Sequence, residues 1–160
     1  MSEKSKVFAR EIFDSAKKTD IDPLFVTAHT CIETGWGRML IGNYNLFGIK
    51  ADVSWEGERI LVRTTEVLDE KIKLQTGESV LSSTVLKTGR TKYVCRRWFK
   101  EYDSLSDALK DRFSFLDKNE FRHDRYILPL RLQQMGNMPC VKYAETIQLT
   151  YKTLLKLGIK

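Results

Sequence analysis

The pair Asp22-Pro23 constrains this chain most, together with the apolar stripe that follows it. An aspartate before a proline reads as a helix N-cap with proline at the first helical position, where its missing N–H would have no helical partner in any case. Leu24, Phe25, Ala28 and Ile32 continue at helical spacing until Gly35, a residue suited to ending a helix. A helix over 23 to about 34 is therefore predicted. Just before it, Phe8, Ile12 and Ala16 recur at i, i+4 and i+8 with Lys and Glu between them, which predicts an amphipathic helix over 5–18.

The middle of the chain changes character. Residues 43–48 are turn-rich, and Arg59-Ile60-Leu61-Val62-Arg63-Thr64-Thr65 has the β-branched content of a strand, with Ile72 and Leu74 alternating in a predicted partner. Residues 77–92 are rich in Ser, Thr and Gly with little apolar periodicity and read as a loop or mobile excursion, followed by a short strand over 93–99. Ser104 then caps a third helix carrying Leu105, Ala108, Leu109, Phe113 and Leu116, and a short helix follows Arg125. Pro139 opens the last helix, with Ala144, Ile147, Tyr151, Leu154 and Leu155 on one face and Lys152 and Lys156 toward its C-terminal end. Helices, a small antiparallel sheet and helices again make an α+β domain. At 160 residues one domain over 1–160 is expected, with the β-lobe at about 53–100.

Composition removes several classes. Hydrophobic residues at 42% and charged residues at 30% are ordinary for a folded domain. No run approaches the roughly 18 to 20 apolar residues of a membrane span, so stable membrane insertion is not expected. Met1 to Lys6 are polar and lead into a helix rather than a signal peptide, so a protein held in the cytoplasm is the expectation. Cys31, Cys95 and Cys140 are odd in number and lack C-x-x-C spacing, which points to free thiols and no zinc site. No metal or organic cofactor is implied. A net charge of +6 favours anionic partners, but without a helix-turn-helix or zinc signature nucleic acid is not expected. Lys87, Arg90, Lys92, Arg96, Arg97 and Lys100 follow one another with no acid over 79–100, either a solvated face or a field that attracts carboxylates.

Glu33 is the chemically unusual residue, a carboxylate at the end of an apolar helix beside Trp36. Burial against apolar and aromatic groups raises a carboxyl pKa, and a carboxyl kept protonated near neutral pH can donate to a leaving oxygen. Cys31 with His29 or His123 is a rival nucleophile, but residues two apart on a helix diverge by about 200°.

Glu33-Thr34-Gly35-Trp36-Gly37, followed by Tyr44-Asn45-Leu46-Phe47-Gly48-Ile49-Lys50-Ala51, resembles the signature of family 73 glycoside hydrolases, the peptidoglycan N-acetylglucosaminidases. Trp55-Glu56-Gly57, Thr64-Thr65-Glu66, Phe99-Lys100-Glu101-Tyr102-Asp103-Ser104 and Arg125-Tyr126 continue it in order. The resemblance implies a lysozyme-like, mostly helical domain with a small β-lobe that cleaves the β-1,4 bond after N-acetylglucosamine in peptidoglycan glycan strands. It implies Glu33 as general acid and Glu66 as second carboxylate, activating water or supporting attack by the substrate's own N-acetyl group. If the strand is unbroken, Glu66 shares a face with Ile60, Val62 and Thr64; Glu56 and Glu58 are rivals in another register. Tyr44, Asn45, Trp36, Phe47 and Tyr126 are its implied substrate-binding residues, although Asn45 and Phe47 also suit a structural turn and Trp36 also suits the core. The chain departs from the family at Gly136-Asn137-Met138-Pro139-Cys140, where a tyrosine-bearing stretch is usual, and Tyr143 matches the later family tyrosine. A monomeric endolysin, released from the cytoplasm to the wall, or an excised domain of a larger secreted autolysin is the expected setting. A muramidase or lytic transglycosylase of the same fold, and a noncatalytic wall-binding module, are the alternatives.

Overall fold

Ser2, Asp22 and Ser104 open three helices in the same way. Each side chain accepts the backbone N–H three residues on, from Ser5 at 3.2 Å, Phe25 at 2.8 Å and Asp107 at 3.2 Å. The computed structural model describes residues 1–114 and 143–160, and in it these helices are α1 (Glu3–Ala16), α2 (Pro23–Glu33) and α3 (Leu105–Phe113), followed by α4 (Tyr143–Lys156). The first helix begins and ends two residues earlier than predicted, because Ser2 supplies the cap and the Thr19 hydroxyl donates to the Ala16 carbonyl at 2.7 Å. Leu116, Pro139, Cys140, His123 and the helix predicted after Arg125 lie outside the described residues.

The helix α2 is the centre of the core, buried without interruption from Leu24 to Cys31. Its threonines fit there because each hydroxyl donates back to a carbonyl four residues earlier, Thr27 to Pro23 at 2.7 Å and Thr30 to Val26 at 2.8 Å. The helices α1 and α4 pack against α2, and α3 packs against α1. On α4 the buried face is Tyr143, Ile147, Thr150, Tyr151 and Leu154. Leu155, expected on that face, is 47% exposed, since one residue past Leu154 turns the side chain by about 100°.

The sheet is antiparallel in the order β1-β3-β2, from β1 (Arg59–Leu68), β2 (Ser79–Val85) and β3 (Thr91–Lys100). Two expectations are corrected here. Residues 77–92 are not a loop excursion: 79–85 pair with β3, and a tight turn joins the strands, with Leu86 N–H donating to Arg90 O at 2.8 Å. The strand escaped detection because it is an outer strand with Val80, Leu81 and Val85 exposed, so neither face shows an apolar period. The partner of β1 is β3 rather than the segment around Ile72 and Leu74, which sits in no strand; Ile72 is buried and Leu74 exposed. The α+β class therefore stands, whereas a mostly helical domain does not fully describe a chain with a three-stranded sheet over 59–100.

The loop before the sheet is fastened to β3. Ala51 N–H donates to Trp98 O and Lys100 N–H to Ile49 O, both at 3.0 Å. Among the described residues no helix is long and apolar enough to cross a membrane.

Candidate active site

Glu33 is the last residue of α2, and the chain reverses immediately beyond it. Gly35, Trp36 and Gly37 have φ of 56°, 62° and 79°, three successive residues in the left-handed region. Trp36 is the only non-glycine there among the described residues, a conformation that costs about 1 to 2 kcal/mol. The turn is held by Trp36 N–H to Cys31 O at 2.7 Å and by Gly37 N–H to the Thr34 hydroxyl at 3.0 Å. A Cβ on Gly37 would stand 2.7 Å from the Phe8 ring, so the second glycine of the motif is needed for packing against α1 as well as for its φ.

This turn leaves Glu33 on the wall of a groove of about 290 Å³, lined also by Met39, Leu40, Ile41, Asn45, Leu46, Phe47 and Gly48. The carboxyl is open to solvent on one side. Loss of hydration against these largely apolar neighbours raises its pKa above the ordinary carboxylate value, and the Arg112 guanidinium partly opposes that rise.

One helical turn below Glu33, on the same face of α2, His29 is fully buried. Its ring stacks on Phe25 at 6.0 Å and Phe47 at 5.5 Å and meets Phe113 edge-on at 5.6 Å. Its Nδ1 is hydrogen-bonded to the Tyr143 hydroxyl, and its Nε2 has no hydrogen-bond partner among the described residues. Burial, aided by the Arg112 charge, lowers the imidazole pKa to about 3. Burial and the charge of Glu33 push the Tyr143 hydroxyl far up, so Glu33 stands above a neutral imidazole and a neutral phenol.

The structure thus brings Glu33, Tyr143, Asn45 and Phe47 to one place, with different tasks. Asn45 is 1% exposed: its amide donates to Ile49 O at 2.9 Å and Lys100 O at 2.8 Å and accepts Ile49 N–H at 2.9 Å. These bonds assign the amide to the turn and correct the expectation that it is free for an acetamido group. Phe47 packs in the aromatic cluster beneath Glu33 and carries the Arg112 guanidinium at 5.4 Å. Trp36 and Tyr44 are half-buried against the core, each keeping a partly open edge. Tyr126 lies outside the described residues.

Glu66 is elsewhere. It points, as strand alternation predicts, to the sheet face of Val62 and Thr64, but there it meets cations. Lys50 Nζ is 2.7 Å from Oε1, and Arg97 Nη1 is 3.1 and 3.2 Å from Oε1 and Oε2. These residues line an open depression of about 480 Å³ with Leu68, Ile72 and neighbouring charged side chains. Its lining includes Lys50, two residues after the Gly48 that lines the Glu33 groove; neither depression contains both glutamates. The rivals Glu56 and Glu58 are exposed.

Sequence reasoning missed Arg97 as a buried partner of Glu66. The signal was present: Cys95, Arg97 and Phe99 alternate onto one face of β3, so a cation occupies an inward position. Of the six cations over 79–100, Arg97 pairs with Glu66 and Glu78, Lys100 with Asp111 at 3.0 Å, and Arg90 with Asp69 at 3.2 Å. Lys87, Lys92 and Arg96 are left as the exposed remainder of that field. Cys31 is fully buried and its thiol is pushed up to about 12, so the cysteine nucleophile is rejected.

Comparison of the whole sequence supplies the family. The family model described as mannosyl-glycoprotein endo-beta-N-acetylglucosaminidase matches residues 9–157. The chain belongs to this glucosaminidase family, family 73 of the glycoside hydrolases. Among its relatives, the peptidoglycan hydrolase FlgJ of Vibrio parahaemolyticus is 30% identical over 128 residues, which are 77% of this chain and 33% of that protein. FlgJ of Pseudomonas aeruginosa is 28% identical over 118 residues, 70% of this chain and 24% of that protein. FlgJ of Vibrio cholerae is 26% identical over 110 residues, 66% of this chain and 27% of that protein. The chain spans about a quarter to a third of the length of these relatives. No solved structure matches.

Proposed function

We propose that this chain hydrolyses the β-1,4 bond between N-acetylglucosamine and N-acetylmuramic acid in peptidoglycan glycan strands, with Glu33 as general acid in a lysozyme-like cleft. The FlgJ relatives, which are peptidoglycan hydrolases, support the substrate class. The observation that carries the chemistry is the setting of Glu33, whose raised pKa favours a protonated carboxyl on the wall of an open groove. Glu33 donates its proton to the glycosidic oxygen as the C–O bond breaks, and the sugar carbon left behind carries developing positive charge. Glu66 is the second carboxylate, acting on water or in support of the N-acetyl group. Trp36, Tyr44, Phe47 and Tyr126 are the proposed substrate contacts, while Asn45 holds the loop that presents Tyr44 and Phe47; Tyr143, expected among the contacts, is buried on His29 and supports Glu33 from beneath.

A monomeric lytic enzyme of endolysin type, held in the cytoplasm until it meets the wall, is the proposed setting; the buried free thiols Cys31 and Cys95 are compatible with a reducing compartment. Cell fractionation before and after lysis checks that assignment.

The function itself is tested by digesting purified peptidoglycan, reducing the new ends with borohydride and identifying them by mass spectrometry. Reduced N-acetylglucosamine ends are expected. Reduced or anhydro muramic ends would transfer the assignment to a muramidase or lytic transglycosylase, and intact glycan would leave a binding module.

A further inference from the structure

A carboxylate that must face a reacting sugar needs a fixed position as well as a charge. In this chain the hairpin β2–β3 supplies that position. Arg97 lies between two carboxylates, its Nη1 donating to Glu66 at 3.1 and 3.2 Å and its Nε forming an ion pair with Glu78 Oε2 at 3.0 Å without hydrogen-bond alignment. The side chains of Glu66 and Arg97 are each 11% exposed and that of Glu78 is 0% exposed. Glu78 is pinned in turn, accepting Trp98 N–H at 2.9 Å and Gln75 N–H at 2.8 Å. Its burial works to raise its pKa, but these backbone donors and Arg97 outweigh burial and hold it below the ordinary value.

Such an arrangement is poorly explained by stability alone. An ion cluster taken out of water is often replaceable by apolar side chains of similar volume without loss. Arg97 stands at an inward position between Cys95 and Phe99, where an apolar residue would continue the pattern. Lys50 differs: 44% exposed, it makes an ion pair with Glu66 that solvent screens.

We propose that Arg97 is a positioning residue for Glu66 and that Glu78 fixes Arg97, so that the β2–β3 hairpin belongs to the catalytic apparatus. The proposal rests on Glu66 being the second carboxylate. It is tested by steady-state kinetics on soluble glycan fragments for the wild type, Glu66→Gln, Arg97→Met, the double variant and Arg97→Lys, with thermal unfolding of each. Arg97→Met is expected to lower kcat by about 10- to 100-fold with KM within about twofold, the scale of a misplaced catalytic group. Arg97→Lys should recover part of the loss, since it restores the charge without the fork. In the Glu66→Gln background Arg97→Met should add less than about twofold, because the two residues act as one unit. Where Glu66→Gln leaves no measurable turnover, Glu66→Asp serves as the second background.

Equal losses from Arg97→Met in both backgrounds would overturn the proposal by making Arg97 merely structural. Wild-type turnover by Arg97→Met, with Glu66→Gln inactive, would overturn it while leaving Glu66 in its role. Wild-type turnover by Glu66→Gln would overturn the reading of Glu66 and the proposal with it. If Arg97→Met does not fold, Glu78→Gln takes its place in the same cycle: a loss that depends on Glu66 supports the proposal, and an equal loss in both backgrounds overturns it.

Discussion

Glu33 and Glu66 are the same side chain in opposite surroundings. Glu33 stands at a helix end among Met39, Leu40, Ile41 and Phe47, with its raised pKa moderated by Arg112. Glu66 stands on a strand with Lys50 at 2.7 Å and Arg97 at 3.1 Å. Apolar surroundings favour a neutral carboxyl that can give a proton, whereas the cations beside Glu66 hold its side chain in place by ion pairing. The two settings have different sources: the loop over 39–48 that follows α2 supplies the apolar one, and the sheet, together with Lys50, the ionic one.

The largest test of that contrast is Glu33→Gln, expected to lower kcat by about 10²- to 10⁴-fold, the usual contribution of a general acid, with the unfolding transition little changed. A reducing-end assay beside a thermal melt measures both, and near-wild-type turnover would remove Glu33 from its role. Asn45→Ala comes next. It removes three buried hydrogen bonds, taking the amide partner from Lys100 O and Ile49 N–H while Ile49 O keeps the Lys100 N–H, and chemical denaturation should show a loss of about 2 to 4 kcal/mol. Because that loop carries both Phe47 and Lys50, both carboxyl settings should suffer together; a variant as stable as wild type would mean they do not depend on the loop.

On the helical side, His29 has a folded pKa of about 3 against an ordinary value of 6.5. The unfolded chain binds a proton at this site below about pH 6.5 that the folded chain refuses. Its stabilising contribution is complete above that pH and is lost as pH falls toward 3, by about 1.4 kcal/mol per unit. Denaturation curves at several pH values should show this slope, and His29→Gln should flatten it; an unchanged slope would place the acid sensitivity elsewhere.

A smaller shift is expected from Arg112→Met. Removing the cation that holds the Glu33 pKa down should carry the alkaline limb of kcat/KM to higher pH, because the acid form persists further. A stationary limb would separate Arg112 from the acid. Lys50→Met should do least, changing stability by under about 1 kcal/mol, since its ion pair is open to water. A large effect would mean that Lys50 rather than Arg97 holds Glu66.

Much of the fold was legible because its signals are local. Asp22-Pro23 and Ser104 announce helices through caps that reach only three residues. The strand β2 was not legible, since its pairing is made by backbone and its side chains face water. Within the site, the face occupied by Glu66 followed from alternation, but its partners did not: Arg97 lies 31 residues away along the chain. Tyr143 reaches His29 across 114 residues, and Asn45 reaches the Lys100 carbonyl across 55.

By itself the sequence determined the order of helices and sheet, the family, and a carboxylate standing at the end of α2 before a Gly-Trp-Gly turn. Caps, periodicity and motif spacing are properties of neighbouring residues, so a linear pattern carries them. Only the tertiary structure decided that Glu33 borders an apolar groove and Glu66 meets cations, that Asn45 is consumed by its own loop, and that Arg97 is buried against Glu78. Desolvation and ion pairing depend on which distant residues meet, and those meetings exist only once the chain has folded.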